Sequence, residues 1–181
     1  MISPEGQSER GVPMIYGDMA GKSKFYDDIG APILAKGEIV KGKARLRFMV
    51  YSSLLSSKPF ILDLYEGTVY LTDRRLVGIR RPDPKKAALA RLSYTADMDV
   101  LDTAVRAKNV LKQGGFEFFS LDFTEIVRVK TPRLARAIEI VAPDPVTAKD
   151  IRIDIAPPKG FRDMFGEEEY ERWLEKYGGK K

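Results

Sequence analysis

The chain has 181 residues, of which 44% are hydrophobic and 31% charged, with a formal net charge of +5. That length suffices to bury a core within one domain, and no apolar run approaches the roughly 20 residues that a membrane-spanning helix requires. Cysteine and histidine are both absent, which excludes disulfides, thiolate nucleophiles, Cys/His metal sites and the commonest general base.

Amides are scarce. Asn109 is the sole asparagine, and Gln7 and Gln113 are the only glutamines, against 31 Lys and Arg and 26 Asp and Glu. Few thermolabile residues with many ion-pairing ones is a heat-adapted composition, so a thermophilic bacterial or archaeal source is expected. The opening "MISPEGQSERGVPMIYGDMAG" has no apolar core behind a basic start. It does not read as a secretory signal, and a cytoplasmic location, with peripheral membrane contact allowed, is the expectation. Residues 1–22 are expected to form a flexible arm and residues 23–181 one domain.

Phe25–Leu34 carries enough apolar residues to dock on that domain, although Gly30 and Pro32 argue against a helix. Lys41–Tyr51 alternates. Ala44, Leu46, Phe48 and Val50 share one face, and Lys43, Arg45, Arg47 and Met49 share the other, which is the pattern of a half-buried strand. "SSLLSSKP" breaks it. Phe60–Thr72 is a β-branched and aromatic strand in which Gly67 suits a bulge. "TDRR" turns into a further strand, Leu76–Arg81, ended by the prolines of "RPDP".

Ala87–Tyr94 has no clear period. Asp97–Lys112 is predicted to be a helix, with Val100, Ala104, Ala107 and Leu111 on one face, a cap from Thr95 or Asp97, and Gly114-Gly115 beyond its end. Phe116–Lys130, Leu134–Ala142 and Asp150–Ala156 return to strand character, the last with three isoleucines alternating with charges. "FRDMFGEEEYERWLEKYGG" reads as one closing helix whose Tyr170, Trp173, Leu174 and Tyr177 form an apolar stripe.

Within "GTVYLTDRRLVGI", the positions Gly67, Tyr70, Leu71, Thr72, Arg75 and Leu76 match a G-x-L-Y-L-T-x-x-R-L hairpin, with Val69 for the usual leucine. Phe119-Ser120-Leu121-Asp122-Phe123 with Ile126 matches a later I-P-L-x-D-I type segment. On these residues the chain resembles the GRAM-type branch of pleckstrin-homology-like domains over about Gly37–Tyr177. The resemblance implies a mainly β (α+β) fold: an antiparallel barrel capped by a C-terminal helix. The departure is residues 82–115, a helical insertion where such domains have a short connection. It can cover the barrel mouth or mediate a homodimer through the 97–112 helix.

Such domains commonly bind lipid headgroups, peptides or proteins and are usually not enzymes. The expected function is therefore a non-enzymatic module that recruits an anionic partner, a membrane surface or an acidic protein segment, without a cofactor or metal. Its candidate residues are Lys43, Arg45 and Arg47 on the early strand and Arg74, Arg80, Arg81, Lys85 and Lys86 around the hairpin. From Asp73 to Arg91 seven cations face two acids, an excess equal to that of the whole chain, and arginine forks clasp phosphate in bidentate fashion. A solvated strand face reads the same way, since lysine-rich edges discourage aggregation. Arg75, within the hairpin motif, is expected to pair with a carboxylate.

Two further readings stay open: an assembly domain centred on the 97–112 helix, and nucleic-acid binding, for which no ribonucleoprotein or zinc motif is present. Asp97, Asp99 and Asp102 can gather near one helix turn, but the helix macrodipole accounts for acids there without a metal. "APPKGF" and "KQGG" do not form a phosphate loop.

Overall fold

The computed structural model describes residues 15–19, 24–52, 62–94, 100–131, 136–144 and 149–178. The "SSLLSSKP" loop beyond Ser52, most of the N-terminal arm, Thr95, Asp97 and Asp99 lie outside them. Among the described residues eight strands form one antiparallel sheet. They are β1 (Ile15–Met19), β2 (Val40–Ser52), β3 (Leu62–Thr72), β4 (Arg75–Arg80), β5 (Phe116–Asp122), β6 (Arg128–Lys130), β7 (Ile138–Pro143) and β8 (Asp150–Ala156), arranged in the order β1-β5-β4-β3-β2-β8-β7-β6. Helices α1 (Pro84–Tyr94) and α2 (Val100–Lys112) lie between β4 and β5, and α3 (Pro158–Phe165) and α4 (Glu167–Tyr177) follow β8.

Strand β2 organises the sheet. It runs 13 residues, and Arg47, Phe48 and Val50 pair with β3 on one side and β8 on the other. Register shifts between Val40 and Gly42 and between Phe48 and Val50 bend it, as extra residues in one strand of a pair do. The bend folds the two halves over a common core. Phe48, Val69, Leu76 and Phe119 from one half meet Ile138, Ile140, Ile153 and Ile155 from the other. Gly67 was expected to make a bulge, but its register with Leu46 is regular. Its role is space, because an added Cβ would lie 2.7 Å from both the Phe48 ring and the Arg80 Cβ.

The sheet does not close into the expected barrel. Its edges β1 and β6 are not hydrogen-bonded to each other among the described residues. The reason lies in β6 and the C-terminal helices. A 3₁₀ turn at Phe123–Glu125 separates β5 from the three-residue β6, and Val129 of β6 bridges Gly178 at the end of α4. Phe161, Met164, Phe165, Tyr170 and Trp173 fill the opening with the core, and Tyr16 of β1 packs against the same cluster. Across the gap the Tyr16 hydroxyl donates to Asp144 Oδ1 at 3.1 Å, and burial beside that carboxylate pushes the phenol up to about 12.

Three further expectations change. β1 pairs with β5 from Ile15↔Ser120 to Met19↔Phe116, so part of the expected flexible arm is an edge strand. Ala87–Tyr94, which has no clear period, belongs to helix α1, begun by Pro84 at a position where a missing N–H costs nothing and by Asp83 Oδ1, which accepts the Lys85 and Lys86 N–H groups at 3.0 and 3.1 Å. The tail is two helices, because Gly166 takes φ 80° between them, a conformation that glycine adopts readily. No described helix is long and apolar enough to cross a membrane.

Asp154 on β8 provides a pH test. Burial, reinforced by Glu139 and opposed by Arg152 with Nε 3.0 Å away, pushes its carboxyl up from 3.8 to about 6. The folded state therefore holds this proton more tightly than the unfolded chain. The resulting stability is present below about pH 4 and is lost as pH rises through about 6, by roughly 2–3 kcal/mol. Asp154→Asn is expected to flatten that limb of a stability-against-pH curve measured by urea denaturation; an unchanged slope would refute the assignment.

Candidate functional site

The hairpin turn behaves as its side chains dictate. Thr72 Oγ1 accepts the N–H groups of Arg74 and Arg75 at 3.1 and 2.9 Å and closes the β3–β4 turn. Arg75 then makes the expected carboxylate pair. Its Nε and Nη2 donate to the two oxygens of Glu38 at 2.7 and 2.9 Å, and Nη2 also donates to the Ile33 carbonyl at 2.8 Å. Burial alone would raise the Glu38 pKa, but bonds from Arg75, the Ala35 amide and Thr72 outweigh it and hold the carboxyl below its usual value.

At the other end of β4 the chain leaves the sheet at Arg80-Arg81 and enters α1. Here the expected basic rim divides. Arg80 is not at the surface. Its guanidinium lies between the rings of Tyr65 and Phe48, 3.5 and 4.5 Å from their centroids, with Nε on Glu117 Oε2 at 2.7 Å. Nη1 donates to the Phe48 and Tyr65 carbonyls at 2.7 and 2.9 Å. Tyr65 donates its hydroxyl to the same Glu117 oxygen, and burial pushes that phenol well above its ordinary pKa. Strand alternation turns Arg80 inward, where Gly67 leaves room, and it is removed from the candidate ligand residues.

Arg81 points the opposite way. Exposed, it stands over the Phe116 ring 5.5 Å from its centroid and borders a groove between the β2–β3 pair and the insertion helices. The groove has a volume of about 620 Å³, within the range of small-ligand sites. Arg45, Arg81, Lys85, Lys86 and Lys108 line it, with Tyr65, Pro82 and Leu111 as apolar wall. Both acids in its lining are engaged: Glu66 Oε1 lies 3.1 Å from Arg45 Nε, and Asp83 caps α1.

Four of the eight candidate cations are thus brought together: Arg45, Arg81, Lys85 and Lys86. Lys43 and Arg47 flank Arg45 on the exposed face of β2 without lining the groove, and Arg74 lies at the far turn. Lys108 enters unannounced. It belongs to α2, and only the packing of α1 on α2 beside β3, around Ala87, Ala107 and Tyr65, carries it to the rim. No short-range pattern in the sequence marks it.

The insertion therefore forms one wall of the groove rather than covering it. The expected dimer face of α2 leaves Val105 and Leu111 exposed beside Lys108 and Lys112. Among the described residues no cluster of three Asp or Glu side chains could hold a metal.

No protein-family profile and no curated protein sequence matches the chain. Among solved structures, the Vps36 N-terminal PH domain aligns over 91% of this chain and 94% of its own, at 16% identity and a TM-score of 0.41.

Proposed function

We propose that the chain is a non-enzymatic binding module whose groove between β2–β3 and α1–α2 recruits an anionic partner through a phosphate or carboxylate group. The observation that carries this reading is the convergence of Arg81, Lys85, Lys86 and Lys108 with the Arg45–Glu66 pair on one concavity, five cations against two acids. Arginine forks match such oxygens in bidentate fashion, and the two adjacent lysines add mobile point charges.

The apolar wall of Tyr65, Pro82 and Leu111 lowers the local dielectric and strengthens those contacts. Charge-assisted hydrogen bonds are worth about 1.5–3 kcal/mol each. Reversing two of the cations, Arg81→Glu with Lys85→Glu, is therefore expected to weaken binding on the order of 100-fold. Titration calorimetry with an inositol phosphate and with a Glu-rich peptide separates the two sources of negative charge. Binding should weaken with added salt. Failure of both probes to bind the wild-type chain at low salt would refute the reading.

A further inference from the structure

The opposite end of β4 carries a different surface. The groove begins at Arg81, whereas Arg75 holds the loop between the Phe25 region and β2, about 20 Å away along the strand at 3.3–3.4 Å per residue. In this loop every residue from Ile33 to Gly37 is exposed, and so are Ile39, Val40 and Lys41. Ile33, Leu34, Ile39 and Val40 are 44%, 38%, 57% and 42% exposed, and they account for four of the large exposed hydrophobic residues of the described chain. They form two stems around a tip at Lys36-Gly37.

The loop is braced. Glu38 N–H donates to the Ala35 carbonyl at 3.0 Å, Ala35 N–H donates to Glu38 Oε2 at 2.8 Å, and Arg75 grips both Glu38 and the Ile33 carbonyl. Ile39 exchanges bonds with Asp73, its N–H donating to Oδ1 at 3.0 Å and its carbonyl accepting the Asp73 N–H at 3.1 Å. The aliphatic side chains are thus held out by a fixed backbone, so little ordering entropy would be lost on docking.

Charge identifies the occupant. Glu38 is the only acid between Asp28 and Asp63, and its pairing with Arg75 withdraws it from the surface. What the loop shows outward is aliphatic carbon with Lys36, Lys41 and Lys43. Arg74 stands alongside, 3.8 Å from where a Cβ on Gly37 would lie. Asp73 is engaged by the Ile39 N–H, Glu169 of α4 lies 2.6 Å from Lys41 Nζ, and the exposed Asp27 and Asp28 sit at the base of the loop, where Asp27 Oδ1 accepts the Ala31 N–H. A convex apolar tip ringed by cations fits the interface of an anionic bilayer, where aliphatic groups enter the acyl boundary and lysines stay at the headgroups.

We infer that the Ile33–Val40 loop is a membrane-docking edge that inserts Ile33, Leu34 and Ile39 into an anionic lipid surface and leaves the Arg81 groove facing away from it. This does not rest on the groove binding anything. The absence of cysteine makes the test specific. Full-length chain carrying Leu34→Cys, labelled with an environment-sensitive dye, is mixed with phosphatidylcholine vesicles with or without phosphatidylserine. A blue shift is expected only with phosphatidylserine, and the same dye on Arg81→Cys should stay unshifted.

In co-sedimentation, Ile33→Ser with Ile39→Ser should lower partitioning about tenfold, with the far-UV spectrum confirming the fold. Arg81→Glu with Lys85→Glu should leave partitioning within a factor of about two. A silent Leu34 label, vesicle binding lost through the groove variant instead, or a label shift that follows protein concentration without vesicles would each overturn the inference. The last of these would assign the loop to self-association.

Discussion

Arg80→Met is expected to destabilise the fold by about 3–5 kcal/mol, because it leaves the Glu117 carboxylate buried without its cation. Methionine preserves much of the packing between Phe48 and Tyr65, so the loss reports charge rather than volume. Arg80 and Glu117 are each only 1% exposed at the side chain, and their contact is 2.7 Å. Arg106 Nη2, 4.0 Å from the other Glu117 oxygen, lies beyond hydrogen-bond distance and does not replace the Arg80 Nε bond.

Urea denaturation at neutral pH measures the loss. Adding Glu117→Gln should recover a large part of it, since a neutral amide no longer needs a counter-charge. A single variant as stable as wild type, or a double variant no better than the single, would show that the pair does not hold this end of the sheet. Phosphate or peptide binding in a variant that remains folded separates the buried arginine from the groove residues.

Trp173→Ala is the second large effect, expected to cost about 3–5 kcal/mol. Trp173 is buried among the rings of Phe165, Phe161, Tyr177 and Tyr170, with centroids at 5.1, 5.6, 5.8 and 6.2 Å. These rings close an opening that no pairing among the described strands closes. Removing the indole leaves a cavity that a packed aromatic cluster cannot collapse to fill. The contact Val129↔Gly178 ties the end of α4 to the edge strand β6, so the damage should reach that edge. Thermal melts read the stability, and faster proteolysis near β6 reads the location. A variant with an unchanged melting temperature would mean that the helices decorate the sheet rather than complete its core.

Much of the β architecture was legible because period-two alternation is a local property. Asp150–Ala156 is the strand that its alternating isoleucines predict, and Val40–Ser52 differs from the expected Lys41–Tyr51 by one residue at each end. Helix α1 was not legible, since "PKKAALARLSY" has no apolar stripe; it is helical through favourable residues and the Asp83 cap, and Ala87 packs with Ala107 of α2 and Tyr65 of β3. The split between α3 and α4 rests on one glycine conformation, which the run of helix formers on either side conceals.

Local residue patterns carry the mainly β character, the aromatic stripe of the helical tail, the Arg75–carboxylate pair and the concentration of positive charge between Asp73 and Arg91. Tertiary structure alone decided what those charges do. Neighbours along a strand point to opposite faces, so Arg80 went to the core with Glu117 while Arg81 went to the groove. The packing of α1 on α2 brought Lys108, 22 residues beyond Lys86 in the chain, to the same rim. Burial and convergence are relations between distant residues, and no local pattern of residue types encodes them.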